Sequence, residues 1–446
     1  MLDFVLIIIF CVLGVLVGVA TGLLPGLHVN NIALILLTFS GSIVALCSPL
    51  FSYGISNQFV FLLIAGFIIA VSISHTFHDT IPTTFMGAPE EDTALSVLPA
   101  HSLLLEGRGY EAVVLSALGS YGAIVVCFLI VYLIRFIIGS PLFLYSALQG
   151  IMAWVLIAIS ILMLATEKAK IKDFSSKDKI PSIMGILFAM FVFFLSGFFG
   201  LIILDFGLDS PVGFQAPVLF PALAGLFGTP TLLNSLMNKP IIPKQKISEV
   251  KLKIKEKKSS ILSIITGSFA GILVSIIPGI TSATGTILAM NAREASGNEQ
   301  TIVTLSSVNT ASAFSVIIVL FIILRPRSGA ALAVNELVAV EEWASTAVPT
   351  DLIYLLMFLL LGGSLSYFLT LKIGKIFAKH FANVPYTKLI SLTVAMIVIL
   401  VFLFTGILGV LILMVATAIG FLPVFWGVRR SHCMGILLFP IILHFL

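Results

Sequence analysis

The chain has 446 residues, 59% hydrophobic and 10% charged, against about 25% charged in a soluble domain, with a net charge of +4 and a mean hydropathy of +1.18. A water-soluble fold cannot cover that much apolar surface, which excludes a cytosolic enzyme, a secreted module and a nucleic-acid binder. Its apolar residues run unbroken and do not alternate in blocks of roughly ten, so a β-barrel is excluded too. At roughly 20 residues per span, the expected fold is an all-α polytopic membrane protein with about ten to twelve transmembrane segments, surrounded by the lipid bilayer.

The first apolar run, near 4–24, lacks a basic leader and ends in Thr21-Gly22-Leu23-Leu24-Pro25-Gly26. That is no cleavage site, so the run reads as a retained helix. Further runs fall near 32–50, 59–74, 112–138, 142–165, 182–204, 218–237, 260–277, 300–324, 352–371, 389–405, 406–422 and 433–446. Polar stretches at 75–111 and 325–351 are the expected irregular segments of the two halves. Cys11, Cys47, Cys127 and Cys433 lie scattered in apolar runs without CxxC spacing and read as small buried hydrophobes.

Lysines set the expected topology. Five lie in 167–180, eight between Lys239 and Lys258, and four in 372–388, while Arg429-Arg430 close the last basic loop. The loop 205–217 carries Asp205 and Asp209 and no Lys or Arg. Basic loops face the cytoplasm, so 205–217 and the carboxyl-terminal tail face out. The eight-lysine stretch also suits anionic lipid headgroups.

Residues 14–39 align without a gap on 267–291: Gly14 falls on Gly267, Gly18 on Gly271, and Pro25-Gly26 on Pro278-Gly279. Each Pro-Gly follows an apolar helix and precedes a polar patch, His28, Asn30 and Asn31 in one copy, Thr281, Ser282 and Thr284 in the other. The second copy starts from the lysine-rich linker and the first from Met1-Leu2-Asp3, so the copies are expected to insert oppositely, as inverted repeats with broken or re-entrant helices. The expected divisions are a first repeat at 1–166, connecting helices at 167–237, a Lys-rich linker at 238–259 and a second repeat at 260–446.

A Pro-Gly break frees backbone groups that lipid cannot satisfy, so it must face protein or a wet cavity. The helix resuming after it starts with unpaired N–H groups and a partial positive charge. Two such starts meeting near mid-membrane would form a site for an anion; kinks used for packing are the plain alternative. The candidate substrate residues are Gly22, Pro25, Gly26, His28, Asn30, Asn31, Thr83, Thr84, Pro278, Gly279, Thr281, Ser282, Thr284, Asn309 and Thr310. Asp79, Glu90 and Asp92, acids in the polar stretch of the first half, are candidates for a coupling Na+ or H+; Glu90, Glu91 and Asp92 equally suit a surface loop, and Asp79 is the better placed. His75, His78 and Asp79 share a helical face, so a metal site is conceivable, but no third ligand is evident beyond His28, and a buried hydrogen-bonded pair is the plainer reading. Arg325 and Arg327 can clamp a carboxylate or anchor at the interface.

The segments GVATGLLPGLHVN, IPTTFMGAPEEDTALSVLPAHSLLLEGRGYEAVVLSALGSYGA and SIIPGITSATG resemble the TctA family, the large membrane subunit of tripartite tricarboxylate transporters, and more closely its archaeal-type branch. The resemblance implies a two-repeat permease moving carboxylates on an ion gradient, with the Pro-Gly loops building the substrate site. It also implies a small second membrane subunit and an extracellular solute-binding protein as partners; a homodimer is left open. Met86-Gly87-Ala88-Pro89-Glu90 stands where the bacterial pattern reads like NTPGE.

The expected function is a secondary-type permease for a small organic anion working by ion-coupled alternating access, with no catalytic residues and no cofactor. The alternatives are a carrier or flippase for a phosphate-bearing lipid or solute and, further off, an intramembrane metalloenzyme using His28, His75, His78 and Asp79.

Overall fold

In chain order the first half forms α1 (Leu2–Gly22), α2 (Val29–Thr38), α3 (Ser40–Leu46), α4 (Asn57–His78), α5 (Thr80–Met86), α6 (Val97–Leu105), α7 (Gly109–Leu129), α8 (Val131–Ile138), α9 (Leu144–Gln149) and α10 (Met152–Ala165). Then come α11 (Ile180–Ile203), α12 (Leu219–Leu223) and α13 (Thr229–Asn238). The second half forms α14 (Ile254–Ile276), α15 (Ser282–Ala292), α16 (Asn298–Ile323), α17 (Gly329–Leu337), α18 (Thr350–Phe381), α19 (Tyr386–Trp426) and α20 (Gly435–Phe445). This computed structural model describes residues 2–24, 29–87, 97–167, 180–211, 218–238, 243–247, 254–277, 280–293, 297–381 and 386–446, and they contain no β-strand.

Among the described residues eight helices are long and apolar enough to cross a membrane, fewer than the ten to twelve expected. The difference has two sources. The apolar helices Met152–Ala165, Leu219–Asn234 and Arg430–Phe445 are too short to span alone. The run Ile390–Trp426 is one continuous stretch, bent at Gly406, whose φ of 64° and ψ of −164° are non-helical. That glycine marks the boundary read between 389–405 and 406–422.

Glycine contacts build the core and repeat in both halves. A Cβ on Gly14 would stand 2.7 Å from the Phe67 carbonyl and 2.8 Å from Ala70, and one on Gly18 would stand 2.5 Å from Val71 and Ser74, so α1 lies directly on α4. In the second half Gly267 faces Thr304 and Ser307, and Gly271 faces Val308 and Ala311, laying α14 on α16. The contacted positions, 67, 70, 71 and 74 in one case and 304, 307, 308 and 311 in the other, share one i, i+3, i+4, i+7 pattern. The halves also interlock, because α4 packs against α18 and α16 against α7.

The stretch expected to be irregular at 75–111 is in large part helical. Asn57–Met86 reads as one 30-residue apolar helix in which His75, His78, Thr83 and Thr84 are all fully buried. Pro82 does not break it, because it sits in the first turn of α5, where a helix has no use for the missing N–H.

The described part of the lysine-rich linker, residues 243–247, is docked. Gln245 accepts from the Gly109 N–H at 2.8 Å and donates to the carbonyls of Leu104 at 3.1 Å and Pro243 at 2.7 Å. Gly107, at φ +76°, allows the close approach, since a Cβ there would stand 3.0 Å from the Lys244 carbonyl. Beside it Arg108 forks onto Glu111 at 2.7 and 2.8 Å and reaches Glu299 in the first turn of α16 at 2.9 Å. The EGRGYE sequence thus joins the linker, α7 and the second half at one corner.

Candidate functional site

The start of α2 and the start of α15, each the first helix after a Pro-Gly pair, open onto one cavity of about 180 Å3. Val29 and Asn30 line it from the first half, and Ile280, Thr281 and Ser282 from the second. The Thr281 hydroxyl caps α15 by accepting from the Thr284 N–H at 3.4 Å, while Ser282 donates to Asn309 Oδ1 on α16 at 3.2 Å. A third helix start joins them. Ser328 caps α17 by accepting from Ala331 N–H at 3.1 Å, and Asn30 Oδ1 accepts from the Gly329 N–H at 2.9 Å. Three electropositive helix ends therefore meet the same space.

Arg327 completes the wall. Its guanidinium donates to the Ile276 carbonyl, the last of α14 before the second break, and lies 5.9 Å from the Tyr145 ring centre. Burial, and then the neighbouring Arg325, pull its pKa below the ordinary value despite Tyr145, and it remains a cation. Arg325 instead reaches the Tyr145 hydroxyl at 3.4 Å in an exposed contact. Among the described lining residues Arg327 is the one charged side chain; the other polar groups are hydroxyls and the amides of Asn30 and Asn309.

Of the sequence candidates, Asn30, Thr281, Ser282, Asn309 and Arg327 line this cavity. Gly22 serves helix packing, since a Cβ there would stand 2.8 Å from the His75 carbonyl. Thr83 is turned to its own helix, donating to the Asp79 carbonyl at 2.7 Å. Thr84, Thr284 and Thr310 are fully buried elsewhere, and their hydroxyls have no hydrogen-bond partner among the described residues. Asp79, 4% exposed, lies one turn beyond the lining residue Thr76. Asn31 falls in α2, but its side chain lies outside the described residues, as do Pro25, Gly26, His28, Pro278, Gly279, Glu90 and Asp92.

Ser72, Thr76, Ser275, Ser312 and Ser328 also line the cavity without having been singled out. Two of them stand at matching places in the two halves. Extending the glycine register of α4 and α16 places Ser72 opposite Asn309 and Thr76 opposite Ala313, all four on the cavity wall.

The histidines of α4 are held by hydroxyl partners. His75 Nδ1 hydrogen-bonds with Thr21 Oγ1 at 3.1 Å; His78 Nδ1 donates to the Ser74 carbonyl at 2.7 Å, and Nε2 lies 3.3 Å from Thr370 Oγ1. Among the described residues no group of three His, Cys, Asp or Glu side chains is placed to hold a metal ion.

No solved structure matches the chain. An uncharacterized protein of Methanocaldococcus jannaschii is 29% identical over 443 residues, covering 98% of this chain and 99% of that protein. The tripartite tricarboxylate transporter TctA family matches residues 8–435, nearly the whole length. That family is the large membrane subunit of a system that works with a small membrane subunit and a solute-binding protein. With eight apolar helices able to span a bilayer, the chain is a multi-pass integral membrane protein and belongs to the TctA family of transporters.

Proposed function

We propose that this chain is a secondary permease for a small organic anion, a carboxylate, with the cavity between α2, α4, α15, α16 and α17 as its substrate site. One observation carries the reading: the first turns of α2 and α15 converge on a polar space with Arg327 in its wall. Helix starts and neutral hydroxyl and amide donors stabilise an anion with few formal charges. Arg327 suits one carboxylate in a planar, two-bond contact, leaving Asn30, Ser282 and Asn309 for the rest of the cargo.

Alternating access then moves one repeat element against the other around this site. The opposite charge flanks of the two copies support inverted insertion, and Asp79 is our candidate for the coupling Na+ or H+. Thermal-shift screening of the purified full chain against mono-, di- and tricarboxylates, inorganic phosphate and amino acids, with and without sodium, tests the reading. A bound cargo at a hundred times its Kd stabilises the fold by about 2.7 kcal/mol. A carboxylate shift that Asn309→Ala and Ser282→Ala each weaken is expected; a shift with phosphate alone would turn the reading to a phosphate carrier.

A further inference from the structure

The bundle of α10, α11, α12, α13, α19 and α20 is almost free of titratable groups. Described α10, α11, α12 and α13 contain none, nor does α19 between 389 and 426. Against that apolar background stands one cluster. Glu167, just past the end of α10, has a side chain 1% exposed and receives His432 Nε2 at 2.5 Å and Arg429 Nε at 3.1 Å. His432 is fully buried, and its Nδ1 has no hydrogen-bond partner among the described residues. Among the described residues the other titratable groups beside the pair are Arg429, Arg430 and Cys433, and Lys168 follows Glu167 directly in the sequence; His444 is the one further such residue on α20. Ionisable groups in an apolar bundle are costly and mark function more often than packing.

The cluster also touches the cavity. His432 belongs to the short turn Arg430–Met434, and Thr281 donates to Met434 Sδ at 3.8 Å. Thr281 is both the cap of α15 and a cavity-lining residue.

We propose that Glu167 and His432 form a proton-binding site whose charge state is passed through Met434 to the cavity end of α15. At high pH neutral His432 donates its Nε2 proton to the Glu167 carboxylate and keeps a bare Nδ1. On acidification a proton from bulk water adds to the Nδ1 lone pair and no protein bond breaks. The imidazolium is held by Glu167, but its new Nδ1–H is buried without an acceptor. The Arg430–Met434 turn must shift to supply one, and Met434 moves against Thr281. Arg429, 32% exposed, gives the site its edge to the surface.

The site's link to transport rests on the cavity being the substrate site, whereas the proton site itself does not, and the test keeps the two apart. Amide hydrogen exchange of the full chain is followed by mass spectrometry between about pH 5 and 8, the range in which histidine titrates, and corrected for intrinsic exchange. In the wild type, peptides spanning 282–292 and 429–434 should exchange several-fold faster at the acid end. His432→Gln, which keeps a hydrogen bond to Glu167, and Glu167→Gln should abolish that dependence. Met434→Leu conserves volume, so it tests the link even if the other variants fail to fold. It should retain the pH response in 429–434 and lose it in 282–292. A wild type without pH dependence, a His432→Gln profile matching the wild type, or a Met434→Leu response undiminished in 282–292 overturns the proposal. If the exchange behaves as expected and no carboxylate is bound or taken up, the transport reading fails while the proton site stands.

Discussion

Alanine at Gly18 and at Gly271 should destabilise the protein by similar amounts, because the two glycines play one role in two copies. At Gly18 the new Cβ would lie 2.5 Å from the Val71 carbonyl oxygen and from Ser74 Cβ; at Gly271 it would lie 2.6 Å from Ala311 Cβ and collide with the Val308 carbonyl. Carbon atoms in good contact stand about 3.5–4.0 Å apart, so each pair of helices must part by about 1 Å against backbone that cannot swing away. Overpacking of this kind costs about 1–3 kcal/mol, offset by about 0.8–1 kcal/mol from exchanging glycine for alanine in a helix. Gly41→Ala separates the two effects, since nothing lies within 4 Å of its Cβ and only the helix gain applies. Thermal unfolding in detergent, followed by intrinsic fluorescence, should rank Gly41→Ala at or above the wild type and the other two below it by comparable shifts. If Gly271→Ala melts with the wild type while Gly18→Ala does not, the halves are not packed alike and the duplicated architecture is refuted.

Three further outcomes are expected. Arg327→Gln removes a charge-assisted contact of about 1.5–3 kcal/mol, so anion-induced thermal shifts should need roughly 10- to 150-fold more ligand; Arg327→Lys should restore only part, because an ammonium cannot form the planar two-bond contact. Gln245→Ala strips the Gly109 N–H of its acceptor and frees the linker, at about 1–3 kcal/mol, so trypsin should cut faster at Lys244 and Lys246, and an unchanged cleavage rate would show the docking to be inconsequential. Burial raises the Glu167 carboxyl, but His432 and then Arg429 outweigh it and hold its pKa below the ordinary value. A lowered carboxylate pKa stabilises the fold above the unfolded value, about 4.3, and that stability is lost as pH falls through the folded pKa; melting temperature should therefore drop on acidification more steeply in the wild type than in Glu167→Gln.

Sequence alone reached the membrane class, the family and five residues of the cavity wall, for a physical reason. Asn30, Thr281 and Ser282 follow helix breaks, where the backbone must find partners and a polar side chain stands out from its apolar flanks. Ser72, Thr76 and Ser312 sit inside apolar helices, where a lone hydroxyl bonded to its own preceding turn reads as packing; Thr76 does donate to the Ser72 carbonyl at 3.0 Å. Only tertiary contacts separate that case from a site, and the same contacts pair Ser72 with Asn309. Gly22 and Thr83 show the converse. Both lie in motif-rich stretches, yet one is consumed by the approach of α1 to α4 and the other by its own helix. Gln245 was hidden by its setting, an uncharged side chain among lysines whose charge dominated the reading of the linker.

The cavity is bracketed by contacts of two kinds, and the difference predicts which wall would move if this is the site of an alternating-access permease. On the side of α2 and α17 the approach is backbone to backbone: a Cβ on Gly329 would collide with the Asn30 carbonyl, and the Gly329 N–H is tied to the Asn30 side chain. Parting those helices would strand a buried donor and break a close-packed seam at once. At the start of α15 the approach runs through side chains, among them one hydroxyl to Asn309 and one hydroxyl to the Met434 thioether, and a thioether is a weak acceptor. A transporter that opens by its cheapest route would therefore hold α2 and α17 together as one wall and swing the start of α15. Joining α2 to α17 through cysteines introduced at Ala33 and Ala333, which share one apolar cluster and do not line the cavity, should then leave uptake intact, whereas oxidising a cysteine pair at Thr281 and Met434 should stop the uptake that the same pair supports when reduced. The reverse pattern would place the gate on the opposite wall.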